Sequence, residues 1–276
     1  MKNIKKLLSL TLLVPLLICV VSLVGCKKDN NENEDIQLDG VNVVLSLQEA
    51  DQLLSQAKVQ LSQSNEQVTQ VKEVNAGALN SHNKYTKSDL LLIINQIKQN
   101  IVNSNQISGV TTYTMDGVLG YETCVVTQEE AYFYVRQGNE ESETWYKNED
   151  GTLYYYDIYN DEGMKYIKRT AEPFKNNNAV YDFCQGKFTF TCKTLTEDDI
   201  EKFVINKNKM YIKLNSTIFN GGDVNVTESF EVKDGRIIKD HLKWEGVDLV
   251  VEYKYDEYVD TSSLALPSNI TWTTEN

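Results

Sequence analysis

The sequence predicts an α+β fold, with N-terminal helices packed on a curved, mostly antiparallel sheet. Two observations carry this. Apolar residues recur at helical spacing between Leu47 and Ile101, then at a spacing of two through most of the chain after Ile107. Asp-Gly pairs punctuate the second region, as tight hairpin turns require. Helices first and strands afterwards is the α+β order.

The first helix opens at Ser46-Leu47-Gln48-Glu49, a capping box in which the serine accepts from the backbone N–H three residues on and Glu49 reaches back. Leu47, Ala50, Leu54, Ala57, Leu61, Val68 and Val71 form its stripe, broken at Ser64, and the helix is expected to end near Asn75-Ala76-Gly77. The stripe packs on the protein's own sheet in the simpler reading; a coiled-coil or partner-binding face is the sharper one. A second helix is predicted over 88–102, with Leu90, Ile94, Ile97 and Ile101 inward.

About ten strands follow. Val247, Leu249, Val251, Tyr253 and Tyr255 alternate with Asp248, Val250, Glu252, Lys254 and Asp256, and Val224, Val226, Phe230 and Val232 alternate with Asn225, Thr227, Ser229 and Glu231. Asp234-Gly235 turns into a strand carrying Ile238, Leu242 and Trp244 on one face. Phe188, Phe190 and Cys192 make another set, as do Met210, Ile212 and Leu214. Strands over 131–135, 144–147 and 153–159 precede them, the last two joined at Asp150-Gly151. Clean alternation means one buried and one wet face, as in an antiparallel sheet. Tyrosine is abundant, 16 against 8 phenylalanines, and clusters on these strands. Half-buried rings with wet hydroxyls explain that; an aromatic surface for sugars or an apolar ligand is the functional reading.

The start of the chain says where the protein lives. Lys2, Lys5 and Lys6 precede an apolar run from Leu7 that ends at Leu23-Val24-Gly25-Cys26. A basic start, an apolar stretch and small residues at a cut site make a secretory signal. The run contains Pro15, and a spanning helix needs about 20 apolar residues. Residues 1–25 are read as the signal, cut between Gly25 and Cys26, with Cys26 lipidated. Two acyl chains hold a protein at a membrane stably where one does not. Residues 26–45 then form a polar, acidic tether, and 46–276 a single domain. Lys27, rather than Asp, follows the cysteine, which argues against inner-membrane retention. The expected location is extracytoplasmic, lipid-anchored to the cell membrane, or to an outer membrane in a host that has one.

The lipobox, the acidic tether, the helix pair and the long strand run together resemble the LolA/LppX-like lipoproteins. Phe230-Glu231-Val232-Lys233-Asp234-Gly235-Arg236-Ile237, then Val251-Glu252-Tyr253-Lys254-Tyr255 and the late Leu266-Pro267, are the most similar parts. The resemblance implies an incomplete barrel closed by helices, holding lipid or lipidated cargo between sheet and helices. The candidate concave face then comprises Phe188, Phe190, Met210, Ile212, Leu214 and Phe230. Leu242, Trp244, Leu249, Val251 and Tyr253 complete it.

Other function classes fit poorly. The net charge of −13 opposes nucleic-acid binding, which needs Lys and Arg clusters. No nucleophile elbow, zinc-protease motif or P-loop occurs. Glu129-Glu130 and Asp198-Asp199 are adjacent pairs, which a strand would point to opposite faces. Two distant histidines, His82 and His241, and no C-x-x-C give no metal site, and no cofactor motif is present. Cys124, Cys184 and Cys192 are read as buried thiols, with a Cys184–Cys192 bridge as the alternative. The chain is expected to bind an apolar or amphiphilic envelope ligand without catalysis. A solid-cored cell-surface module that meets a protein or glycan is the alternative.

Overall fold

A computed structural model describes residues 40–63, 84–187, 194–215 and 227–275. The signal, the lipidation site Cys26 and the tether up to residue 39 lie outside the described residues. So do Ser64, Val68 and Val71, Phe188, Phe190 and Cys192, and Val224 and Val226. The chain groups into two compact units. Of the described residues, one holds those from Gly40 to Ile101 and those within Lys193–Ile238, the other those within Val102–Cys192 and Lys239–Asn276.

The first unit holds β1 (Gly40–Ser46), α1 (Leu47–Gln63) and α2 (Lys87–Val102). Its later strands are β8 (Ile200–Asn206), β9 (Lys209–Leu214) and β10 (Thr227–Lys233). The strand order is β8-β9-β1-β10, with β1 antiparallel to β9 and parallel to β10. Here the structure corrects the tether: residues 40–45 are a strand. Val41 to Leu45 are all buried. A run rich in β-branched residues, covered on both faces, is what a central strand needs. Register places Val41, Val43 and Leu45 beside Leu214, Ile212 and Met210, and Val43 beside Phe230.

Helix α1 begins directly after β1. Glu49 N–H donates to Ser46 Oγ at 3.1 Å, as the capping box predicts. The Glu49 carboxylate does not reach back. It accepts from the N–H of Gly235 in the hairpin turn after β10. The buried stripe is Ala50, Leu53 and Ala57, with Leu54 only half-buried, so the helix is rotated toward Leu53 relative to the predicted stripe. The reason is the turn itself, since a Cβ built on Gly235 would lie 3.2 Å from Leu53 Cδ2. Helix α2 buries the four predicted residues together with Ile93 and Gln96. Its cap is Thr86: Asp89 N–H donates to Thr86 Oγ1 at 3.1 Å, and Thr86 N–H donates back to Asp89 Oδ2 at 3.0 Å.

The second unit carries β2 (Gln106–Met115), β3 (Val118–Thr127), β4 (Ala131–Gln137) and β5 (Glu140–Glu149). Next come β6 (Thr152–Asn160), β7 (Met164–Thr170) and α3 (Ala179–Lys187). The chain enters it again within β11 (Arg236–Trp244), then forms β12 (Val247–Tyr255) and the short β13 (Thr273–Thr274). The order β13-β7-β6-β5-β4-β3-β2-β12-β11 is an open sheet, antiparallel except where β13 joins β7. Asp150-Gly151 and Asp234-Gly235 both turn with φ positive at each residue, as does Asp116-Gly117. Positive φ at both residues is the type I′ turn, whose twist matches that of the flanking strands. Among the described residues, no helix is long and apolar enough to cross a membrane.

The two faces of this second sheet are covered differently. Residues 256–275 return across one face, where Val259 and Leu264 pack on Val125. Leu266, Ile270 and Trp272 pack on Trp145, Tyr156 and Ile158. Helix α3 lies on the other face.

Candidate functional site

Strand register builds the α3 face row by row. Asp240 on β11 stands opposite Val251, Leu242 opposite Leu249, and Trp244 opposite Val247. Across β12, Val251 faces Thr111, Leu249 faces Tyr113 and Tyr253 faces Gly109. Across β2, Thr111 faces Glu122, Tyr113 faces Gly120 and Gly109 faces Cys124. Five predicted face residues, Leu242, Trp244, Leu249, Val251 and Tyr253, therefore share one side. Met210, Ile212, Leu214 and Phe230 are fully buried in the first unit.

Two glycines lower the floor of this face. A Cβ on Gly120 would fall 2.0 Å from Tyr113 Cζ, so the tyrosine ring lies across the bare strand. At Gly109 a Cβ would meet Cys124 Sγ at 3.0 Å and Tyr253 Cε1 at 3.3 Å. Gly120→Ala is expected to displace the Tyr113 ring and to cost about 1–3 kcal/mol, the range for overpacking. A urea midpoint equal to that of the wild type would show that the ring moves aside freely.

Helix α3 is held by Asn178, whose Oδ1 accepts from Tyr181 N–H at 3.0 Å, and by Ala179 N–H donating to Gln128 O at 2.8 Å. It buries Ala179, Val180, Phe183 and Cys184, an i, i+4 face. Phe183 meets the Tyr253 ring edge-on at 6.5 Å, and Lys187 Nζ lies 4.0 Å from Glu122 Oε2.

Polar groups buried among these apolar ones set the electrostatics. Asp240 is 5% exposed, and its Oδ1 has no hydrogen-bond partner among the described residues; Tyr113 Oη is in the same position. Burial pushes the Asp240 carboxyl up to about 8, against a smaller downward pull from Lys187. Burial likewise raises the Tyr113 phenol to about 12, with Glu122 adding to it, and the Cys124 thiol to about 11. A thiol so placed is protonated and unreactive at neutral pH. The arrangement offers an apolar surface ending in buried hydrogen-bonding groups, which is how sites for amphiphiles fix orientation.

Sequence reasoning missed Asp240, Tyr113 and α3. Glycines inside alternating strands were the available signal, because they mark close approach of another group. The paired acids are elsewhere: in the β3–β4 turn Glu130 N–H donates to Thr127 Oγ1 and the Glu130 carboxylate pairs with Lys147, while the Asp199 carboxylate accepts from Thr196 N–H. Among the described residues no cluster of three or more His, Cys, Asp or Glu could hold a metal ion. A groove of about 440 Å³ runs along α1 in the first unit, lined by Asp51, Leu54, Ser55, Lys58, Val59 and Ser62.

No family model and no curated protein matches the chain. Among solved structures it is similar to the Mycobacterium tuberculosis lipoprotein LppX, at 8% identity and a TM-score of 0.32, over 64% of this chain and 100% of that one. It is also similar to a DUF1329 family protein from Desulfovibrio piger, at 9% identity and a TM-score of 0.26, over 63% of this chain and 95% of that one. Both scores lie below 0.5, so the functional reading rests on the residues.

Proposed function

We propose that the protein is a lipid-anchored extracytoplasmic binding protein for an apolar or amphiphilic ligand, acting without catalysis. The α3 face carries the reading, because buried Asp240 and Tyr113 present polar atoms with no partner among the described residues, at the edge of half-buried apolar residues. A buried polar group without a partner is costly in a fold, and a ligand can supply that partner. The anchor rests on Leu23-Val24-Gly25-Cys26. Mass spectrometry of the full chain, purified from membranes and held under native conditions, tests the binding. A co-purifying amphiphile that leaves on unfolding is the expected result, and a ligand-free chain after mild extraction would overturn it.

The anchor has its own test. Cys26→Ser is expected to leave the membrane fraction or to persist as uncleaved precursor, because the thioether needs sulfur. A Cys26→Ser protein of mature mass, still membrane-bound in high salt, would remove Cys26 as the lipid site.

The groove along α1 favours the second reading, a module that meets another protein at the cell surface. Val59 on its rim is 50% exposed. Under that reading Gln60→Ala together with Val59→Ser loses a partner in pull-downs from cells while lipid content is unchanged.

A further inference from the structure

Among the described residues of the α3 face, Asp240 is a buried carboxyl whose Oδ1 has no hydrogen-bond partner. Its strand neighbours on that side are apolar: Leu242 on its own strand and Val251 opposite. Lys187 on α3 acts on it, and Glu122 on β3, which lies 4.0 Å from Lys187, stands on the same side of the sheet. Glu122 lies three strands away, about 14 Å at the usual strand spacing, so it repels Asp240 weakly. With Asp240 ionised the site holds two acids and one base. A single positive charge brought in by a ligand balances it, and burial strengthens that attraction.

From Asp240 an apolar track leads along the β11–β12 hairpin. Leu242 and Leu249 form the next cross-strand pair, and Trp244 and Val247 the one beyond. All four are half-buried, in contrast to the fully covered residues near α3. The track spans four residues of strand, roughly 13 Å, the reach of a medium-length alkyl chain.

We propose that this face binds amphiphiles that carry a primary or secondary amine, the ammonium donating to Asp240 Oδ1 and the alkyl chain lying over Leu242, Leu249 and Trp244. The inference rests on the binding reading above and names the headgroup that the site selects. Lys187 opposes the ligand's charge, so it tunes affinity downward. Asp240, which carries its proton in the empty site at neutral pH, releases that proton when an ammonium takes its place.

Titration calorimetry of the full chain against decylamine, decanol and decanoate, each below its micelle concentration at neutral pH, decides the matter. The amine is expected to bind about tenfold or more tightly than the alcohol or the acid, the worth of one hydrogen bond to a charged group. Its heat should vary with the ionisation enthalpy of the buffer, because a proton is released. Asp240→Asn should remove the preference for the amine and the buffer dependence. Lys187→Met should tighten amine binding, an effect that a damaged fold cannot mimic. Equal affinities for the three ligands, or a preference that survives Asp240→Asn, would overturn the amine headgroup and leave the binding reading standing. No heat with any of the three would overturn both.

Discussion

Trp145→Ala is expected to lower the stability of the second unit by about 3–5 kcal/mol, the range for emptying a buried tryptophan site. Trp145 is 2% exposed and lies between strands β4 and β6 and the returning C-terminal segment. Its ring centroid is 5.1 Å from that of Tyr132 and 6.2 Å from that of Trp272, and its Nε1–H donates to Ser263 O at 2.9 Å. Alanine removes the packing and leaves the Ser263 carbonyl without that donor. The segment 256–275 should then loosen, which limited proteolysis reads as early cleavage between Tyr258 and Trp272. Trp145→Phe keeps a ring but not the hydrogen bond, and should fall between alanine and wild type. An alanine variant with a wild-type urea midpoint and protease pattern would show that the segment is held elsewhere.

Asp240→Asn is expected to change how stability depends on pH. The carboxyl sits at about 8 in the folded chain against an ordinary 3.8. Between those values the folded state keeps a proton that the unfolded state has lost. Stability therefore falls as pH rises through this window, by at most about 1.4 kcal/mol per pH unit, and nothing further is lost above it. Asparagine carries no such proton. The variant should match the wild type near pH 4 and exceed it clearly near pH 8. Lys187, which partly offsets the rise, makes the test sharper: Lys187→Met should leave the slope unchanged and carry the fall in stability on to higher pH. Parallel stability curves for Asp240→Asn and wild type from pH 4 to pH 8 would show that Asp240 is solvated in the fold.

Much of the fold was legible because its signals are local. Leu90, Ile94, Ile97 and Ile101 line α2 as their spacing requires, and both predicted Asp-Gly turns form. The strands over 131–160 appear within a few residues of their predicted ends. What failed was decided by distant partners. Strand β1 follows an acidic stretch and has no alternation, and the strands that flank it, β9 and β10, come more than a hundred positions later. Helix α3 is spelled in Val, Tyr and Phe, residues with strand preference; the Asn178 cap and contacts with the distant Tyr253 and Glu122 favour the helix. On β11 the buried apolar residue is Ile237 rather than the predicted Ile238, and the other buried position is Asp240. An acid on an apolar face looks like an interruption in a pattern. Its burial depends on β12, β2 and α3 together, which no local window contains.

The place of β1 also decides how the protein would bear load. A pull on the chain ahead of residue 40 enters the fold along the axis of a strand gripped on both sides, by β9 and by β10. Tension in that direction shears two hydrogen-bond ladders at once, whereas an edge strand would peel one bond at a time. Under the proposed anchoring, drag on the body is thus met first by a strand paired on both sides.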